Sequence, residues 1–190
     1  AELKRAEYRT ETVEEVVNEE IIKELYSIED ANFNNLLGSI ELFNRSKANI
    51  FVTGGGGSGT SIYRVLTKYG IGFSTGIIHE NDVDYEIART MGVNIESAKA
   101  FQDINDLNIS RSKKMIKDSN IFIDTDYPIG NINKRNLELT RYAINMGKKV
   151  LSLRSIEDIN IIYNGQSENI LYMESISSLV ENLKENSKLL

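Results

Sequence analysis

The sequence predicts an α/β fold: a Rossmann-like, doubly wound parallel sheet of strand order 3-2-1-4-5, preceded by an N-terminal helical or extended tail. Three observations lead there. From Ala48 onward, short apolar runs alternate with helical patterns of about ten residues, as in a parallel sheet covered on both faces. The first apolar run, Ile50-Phe51-Val52, passes at once into four glycines and then into a helical pattern. The 190 residues, 41% hydrophobic and 26% charged, suffice for one such domain and a short extension.

Each element has a local reason. Residues 1–36 are acidic and glycine-free and include Glu14-Glu15-Val16-Val17-Asn18-Glu19-Glu20. Asn18 is placed to cap a short helix through Tyr26, with Ile21, Ile22 and Leu25 on one face and acids in the first turn. A helix so short does not hold itself together in water and has to dock on something. Leu37–Phe43 alternates loosely, as a strand or an extended arm. Residues 1–47 thus form the tail and residues 48–190 the α/β domain.

Within that domain, Ile50–Val52 reads as a buried strand, and the helix Ser58–Tyr69 stops at Gly70. Gly72–Ile78 is the second strand; Asn81 or Asp82 caps a helix through Met91, closed by Gly92. Val93–Ser97 is a short third strand, followed by an irregular connection over Phe101–Asn108 and a helix over Ser110–Asp118. Ile121-Phe122-Ile123 is a central strand. The loop Asp124–Asn131 leads to a helix ending at Asn145 before Gly147, and Val150–Leu153 is the fifth strand. Residues 154–168 carry no readable pattern, Asn169–Met173 reads as an edge strand, and Ile176–Leu190 as an amphipathic final helix.

Composition narrows the function classes. No apolar run approaches the roughly 18–20 residues of a membrane span, and the charged N-terminus does not read as a signal peptide. With no cysteine, disulfides and thiolate chemistry are excluded; that count is compatible with a cytosolic chain. A net charge of −6 disfavours nucleic acid as the main partner. Arg111, Lys113, Lys114 and Lys117 form one basic cluster, read as a solvated helix face. A single histidine, His79, disfavours a zinc site, and nothing around it resembles a nucleophile elbow.

The turn Gly54, Gly55, Gly56, Gly57, Ser58, Gly59, Thr60 carries the functional signal. Strand, glycine turn and helix together gather backbone N–H groups around an anion, and Gly54, Gly56 and Gly59 fit the G-x-G-x-x-G spacing of dinucleotide sites. Gly54, Gly59 and Ser61 also fit the P-loop spacing, but Thr60 stands where the phosphate-reaching lysine belongs, which argues against phosphate hydrolysis. The alternative is a purely structural turn, since glycine is needed wherever a strand bends tightly into a packed helix.

Ligands of open parallel sheets bind beyond the carboxyl ends of the strands. Two further polar groups fall there. One is His79-Glu80-Asn81-Asp82-Val83-Asp84, in which Glu80 lies where a carboxylate reaches a ribose hydroxyl; Asp82 and Asp84 are explained as well by helix capping. The other is Asp124-Thr125-Asp126-Tyr127-Pro128-Ile129-Gly130, whose carboxylates either flank a divalent ion such as Mg²⁺ or make Asx turns ahead of Pro128. Carboxylates near a phosphate site also repel an anion, which favours a ribose contact or a cation there.

The order of these motifs resembles the domain found after the ATP-binding cassette in some ATPase subunits of cobalamin and iron-siderophore ABC importers. Glu14–Tyr26 resembles the cassette's closing tail, with Ser27 in place of its usual terminal glycine. Thr53–Gly59 resembles the appended domain's glycine turn, and Gly76–Asp84 its Gly-x-Leu-Asn-Glu-Gly-Asp-x-Asp segment. Phe101–Ile104 resembles its Pro-Phe-x-x-Ile element, with Ala100 where proline is common. Pro128–Leu137 resembles its Pro-Phe-Gly-x-Gly-Asn-x-x-Asn-Leu loop, with Ile129 and Ile132 replacing a phenylalanine and a glycine.

The resemblance spans roughly residues 13–153. It implies a C-terminal regulatory or ligand-binding domain of such a subunit, with residues 1–47 as cassette tail and linker. The upstream cassette and the importer permease are then its partners, and its place is cytoplasmic, peripheral to the membrane through the transporter, with a homodimer as one arrangement. A nucleotide or other small phosphate-bearing ligand is expected over Gly54–Thr60, flanked by Glu80, Asp82, Asp124, Asp126, Gly130, Asn133 and Asn136. The lysine-bearing P-loop, signature sequence and Walker B pair of a cassette do not occur in these residues. One rival reading is a stand-alone nucleotide-dependent enzyme, either an NAD(P)-linked oxidoreductase or a nucleotide hydrolase; another is a structural docking module whose glycines only make a turn. For the hydrolase, Gly-Gly-x-Gly-Thr resembles nucleotide phosphoribohydrolases with Thr53 in place of their proline.

Overall fold

A computed structural model describes residues 31–185. The expected helix through Tyr26 and the last five residues of the expected final helix lie outside the described residues.

Six parallel strands form the sheet: β3 (Ile50–Thr53), β4 (Phe73–His79), β5 (Asn94–Ala98), β6 (Ile121–Asp124), β7 (Lys149–Ser152) and β8 (Ile170–Tyr172), in the order β5-β4-β3-β6-β7-β8. Counted from β3, this is the expected 3-2-1-4-5 order with a sixth strand added at the edge. The central strands β3 and β6 are buried along their whole length, which is why they read as unbroken apolar runs. Phe51 and Phe122 stack between them with ring centroids 5.6 Å apart.

Among the described residues, six α-helices cover the sheet: α1 (Thr60–Lys68), α2 (Val83–Thr90), α3 (Asp106–Lys117), α4 (Asn136–Asn145), α5 (Ile156–Ile162) and α6 (Ile176–Glu185). Two apolar cores result. Ile62 and Leu66 of α1, Ile87 of α2 and Leu179 and Leu183 of α6 pack with Ile50 and Val52 on one face. Ile109 and Ile116 of α3, Leu139 of α4 and Ile159 of α5 pack with Phe51 and Phe122 on the other. Alternate residues of β3 thus feed opposite cores, as the period of a strand requires.

Several boundaries differ from expectation. α3 begins at Asp106 rather than Ser110, because Asn105 and Asn108 close a reciprocal capping box inside the stretch that reads as irregular. Within 154–168, Ser155 caps the seven-residue α5 by accepting the Asp158 N–H. The Leu37–Phe43 arm contributes β2 (Ser39–Leu42), which pairs antiparallel with β1 (Ala31–Asn34) in a separate two-stranded hairpin. That hairpin docks on α1 and α2: Asn34 Nδ2 donates to Thr90 Oγ1 at 2.8 Å, and Arg64 Nε to the buried Glu41 at 3.0 Å.

Candidate functional site

The chain runs β3, β4, β5 to one side, then returns so that β6 lies against β3, and the crevice beyond these two strands is the switch point of the sheet. The glycine turn after β3 faces the Thr125–Gly130 loop after β6. Gly55, Gly56 and Gly57 all have positive φ (146°, 63° and 83°), conformations that side-chain-bearing residues rarely adopt. Gly54 and Gly59 serve a different need. A Cβ on either would come within 2.5 Å of Tyr63, the buried side chain that anchors α1 against the sheet.

The amide donors of the turn are occupied from within the chain. Asp84 Oδ2 accepts the Gly55 N–H at 2.8 Å and the Gly59 N–H at 2.9 Å, and its Oδ1 accepts the Thr60 hydroxyl at 2.8 Å. Asp82 Oδ2 accepts the Gly56 N–H at 2.7 Å, while its Oδ1 caps α2 by accepting the Asp84 N–H. The anion-binding cup read from the sequence therefore exists, and two aspartates from the start of α2 fill it. Burial pushes the Asp84 carboxyl above its ordinary value, against the pull of the Gly59, Thr60 and Gly55 donors. An incoming phosphate would meet two carboxylates and find those donors taken.

The opposite wall closes the crevice further. Ser58 and Thr125 share a hydroxyl–hydroxyl hydrogen bond of 2.6 Å across the switch point. Pro128 packs over Gly56 so closely that a Cβ there would lie 3.0 Å from its ring.

Beside this wall, Asp124 is fully buried and paired with Arg154, itself only 4% exposed, at 2.8 Å. Arg154 also donates to Asp126 at 2.9 Å and to the Tyr127 carbonyl at 2.9 Å, and its guanidinium lies over the Tyr127 ring. Tyr163 donates to Asp124 Oδ2 at 3.1 Å, and Asp124 Oδ1 accepts the Asp126 N–H at 3.1 Å in an Asx turn. Of the two readings of Asp124 and Asp126, the turn is what the geometry contains. The arginine supplies the positive charge that a divalent ion would otherwise bring. Among the described residues, no group of three or more His, Asp or Glu side chains could hold a metal ion.

The expected site residues divide accordingly. Gly54, Gly55, Gly56, Gly57, Ser58, Gly59, Thr60 and Asp82 come together in one constellation, with Asp124 and Asp126 in the adjoining network. The others have different work. Glu80 pairs with Lys99 beyond β5, whose ammonium donates to both its carboxylate oxygens at 2.9 and 3.2 Å. Asn133 accepts the Gly130 N–H at 2.7 Å and donates to the Pro128 carbonyl at 2.8 Å, closing its own loop. Asn136 is fully buried and pairs with both the N–H and the carbonyl of Ile77, tying α4 to β4. His79 Nε2 donates to the Gln102 carbonyl at 2.8 Å.

Sequence reasoning missed Arg154 and Tyr163, both in the stretch without readable pattern. A lone arginine directly after a buried strand was the available signal. The basic cluster of Arg111, Lys113, Lys114 and Lys117 lies away from the crevice, lining a cavity of about 870 Å³ between α3 and α4.

A family model described as the MJ0874 family matches residues 73–188. The chain belongs to the MJ0874 family. This MJ0874-family chain is 36% identical over 86 residues to the uncharacterized protein MJ0874 of Methanocaldococcus jannaschii, a match covering 45% of the chain and 90% of that protein. It is also 42% identical over 57 residues to an uncharacterized ABC transporter ATP-binding protein, MJ0873, of the same organism. That match covers 29% of the chain and only 20% of the relative. No solved structure matches the chain. Part of this MJ0874-family chain is therefore similar to an ABC transporter ATP-binding protein. No helix among the described residues is long and apolar enough to cross a membrane.

Proposed function

We propose that this chain is an accessory, non-catalytic docking domain that works with the ATP-binding subunit of an ABC importer. The observation carrying this reading is the 42% identity to an ABC transporter ATP-binding protein over 57 residues. It agrees with the motif resemblance, on which alone we assign the importer to the cobalamin and iron-siderophore class. The domain would then lie on the cytoplasmic side, held to the membrane through the ATP-binding subunit and its permease, and ATP hydrolysis would belong to the cassette.

Within this reading the glycine turn is a structural device. Asp82 and Asp84 act as internal anions that lock the N-terminus of α2 to the turn before α1, making one rigid block at the switch point. Rigidity suits a domain that transmits or receives a docking contact, because a preorganised interface loses less conformational entropy when it forms. The filled cup favours docking over a nucleotide sensor or a nucleotide-dependent enzyme, both of which need those amides for phosphate.

Co-expression tests the proposal. The tagged chain is produced with the ATP-binding protein of its host that is similar to MJ0873, and the pair is run on size exclusion. Retention as a stoichiometric complex, with an altered rate of ATP turnover, is the expected result. Separate elution together with unchanged turnover would sink the docking role.

A further inference from the structure

Four cations, Arg111, Lys113, Lys114 and Lys117, fall within about two turns of α3, on a chain whose net charge is −6. α3 turns Ile109, Ser112 and Ile116 into the fold and leaves these four along its outer side. There they line one wall of the groove of about 870 Å³ whose other wall is α4.

The carboxylates of the groove do not balance them. Arg135, just before α4, is paired with Asp106 at 2.8 Å and with Glu138 at 2.7 Å, so these two acids are already matched. Arg111 stands 4.0 Å from Glu96, at the limit of an ion pair, and Lys113 lies over the Tyr142 ring of α4, 5.2 Å from its centre. Among the described residues, Lys114 and Lys117 have no carboxylate partner. Like charges three or four positions apart on a helix repel, and Arg111–Lys114, Lys113–Lys117 and Lys114–Lys117 are all such pairs. The helix dipole favours cations in the last turn, which accounts for Lys114 and Lys117 but not for Arg111 and Lys113 before them. An anion lying on this wall would relieve the repulsion.

Geometry selects among anions. A small phosphate is held where several donors converge on one point, whereas these cations are strung along a helix of 12 residues, about 18 Å long. A flat anionic bilayer would meet Asp106, 94% exposed, at one end of the row and the exposed Asp118 at the other. An acidic polypeptide segment can set its carboxylates between those ends. It also finds an apolar foothold, because Leu107, 56% exposed, lies one turn before Arg111 on the line 107–111–114.

We propose that the α3–α4 groove docks an acidic polypeptide segment of a partner protein. An apolar side chain of that segment rests on Leu107, and its carboxylates face Arg111, Lys113, Lys114 and Lys117. Docking of this kind requires a segment chemistry rather than a particular protein, so it holds or fails independently of association with an ATP-binding subunit.

Fluorescence anisotropy on the 190-residue chain tests this. The probe is a fluorescein-labelled, glutamate-rich peptide of about 12 residues, the length of α3, with a leucine near one end. A second peptide carries serine in place of the leucine. At about 0.15 M salt, where charges beyond about 8 Å are screened, the leucine peptide should bind saturably at micromolar concentration. Lys114→Glu with Lys117→Glu should weaken it about tenfold or more, and Leu107→Ser should bring it down to the level of the serine peptide. Lys68→Glu with Lys184→Glu makes the same charge change on α1 and α6, which cover the opposite face of the sheet, and should leave binding within about twofold. Equal losses from the two double variants overturn the proposal by reducing it to net charge. No saturable binding of the leucine peptide at about 1 mM overturns it too. Tighter binding to phosphatidylserine vesicles than to the peptide, or displacement of the peptide by equimolar tripolyphosphate, gives the groove to another anion and has the same consequence. Should the charge reversal lower the unfolding midpoint, Lys114→Gln with Lys117→Gln replaces it, and unchanged peptide binding in that variant overturns the proposal.

Discussion

Asp84 is buried, and three donors converge on its carboxylate, namely the Gly55 and Gly59 amides and the Thr60 hydroxyl. Asp84→Asn keeps one acceptor oxygen and turns an amide NH₂ toward donors. Hydrogen bonds to charged groups contribute about 1.5–3 kcal/mol each, so this variant should lose about 2–3 kcal/mol in chemical denaturation at neutral pH. The pH dependence has a definite sign. Burial first, against its hydrogen bonds, raises the folded carboxyl above its unfolded value near 4. The folded state therefore holds this proton longer, and the Asp84 contribution declines as pH rises through the raised value. The wild-type advantage over Asp84→Asn should narrow as pH rises from about 4 through the raised folded value; an advantage that widens there would mean burial is not the governing cause. Arg154 presents the opposite case of a buried charge that needs its partner. Arg154→Met strands Asp124 in the core and should cost about 3–5 kcal/mol, and Asp124→Asn in the same chain should restore most of that loss. A cost of Arg154→Met under about 1 kcal/mol would show that water reaches Asp124 after all.

At the scale of elements, the start of α3 illustrates how side-chain chemistry disguises a helix. Asn105, Asp106 and Asn108 are turn-favouring residues, and in sequence they read as a loop. In the fold, Asn105 accepts the Asn108 N–H at 3.0 Å and Asn108 accepts the Asn105 N–H at 3.1 Å, so the loop signal is the helix's own cap. Asn105→Ala should lower stability by about 0.5–2 kcal/mol, with faster amide exchange confined to the first turn of α3. No change in exchange there would mean that packing alone holds the turn. Elements defined by apolar runs were legible for a simpler reason: β3 and β6 are buried along their full length, so nothing competes with their pattern. α5 was not, because seven residues with one buried position, Ile159, carry too little periodicity to stand out. The hairpin defeated pattern reading from the other side, since it buries Glu41 and exposes Ile40 and Leu42.

Across the whole molecule, the parallel sheet and its two-faced cover follow from the alternation of strands and helices, and the glycine turn sits at the switch point of the observed order. What fills the turn was not legible. A G-x-G-x-x-G spacing dictates backbone shape, whereas the identity of the anion depends on Asp82 and Asp84, which arrive more than twenty residues later on another helix. The spacing alone does not distinguish a carboxylate of the chain from a phosphate of a ligand, because the same amides serve both. Thermal unfolding separates them. A nucleotide bound with a dissociation constant of about 10 μM would add about 2.7 kcal/mol at 1 mM, and a domain of this size gains about 2–4 °C per kcal/mol. With the cup already filled, ATP, ADP and NAD at millimolar concentration should leave the midpoint where it is. A rise of several degrees would require the nucleotide either to displace Asp84 from the Gly55 and Gly59 amides or to bind elsewhere. Repeating the titration on Asp84→Asn distinguishes these two outcomes: a phosphate that competes with the carboxylate binds more tightly once its charge is gone, and one bound elsewhere does not respond.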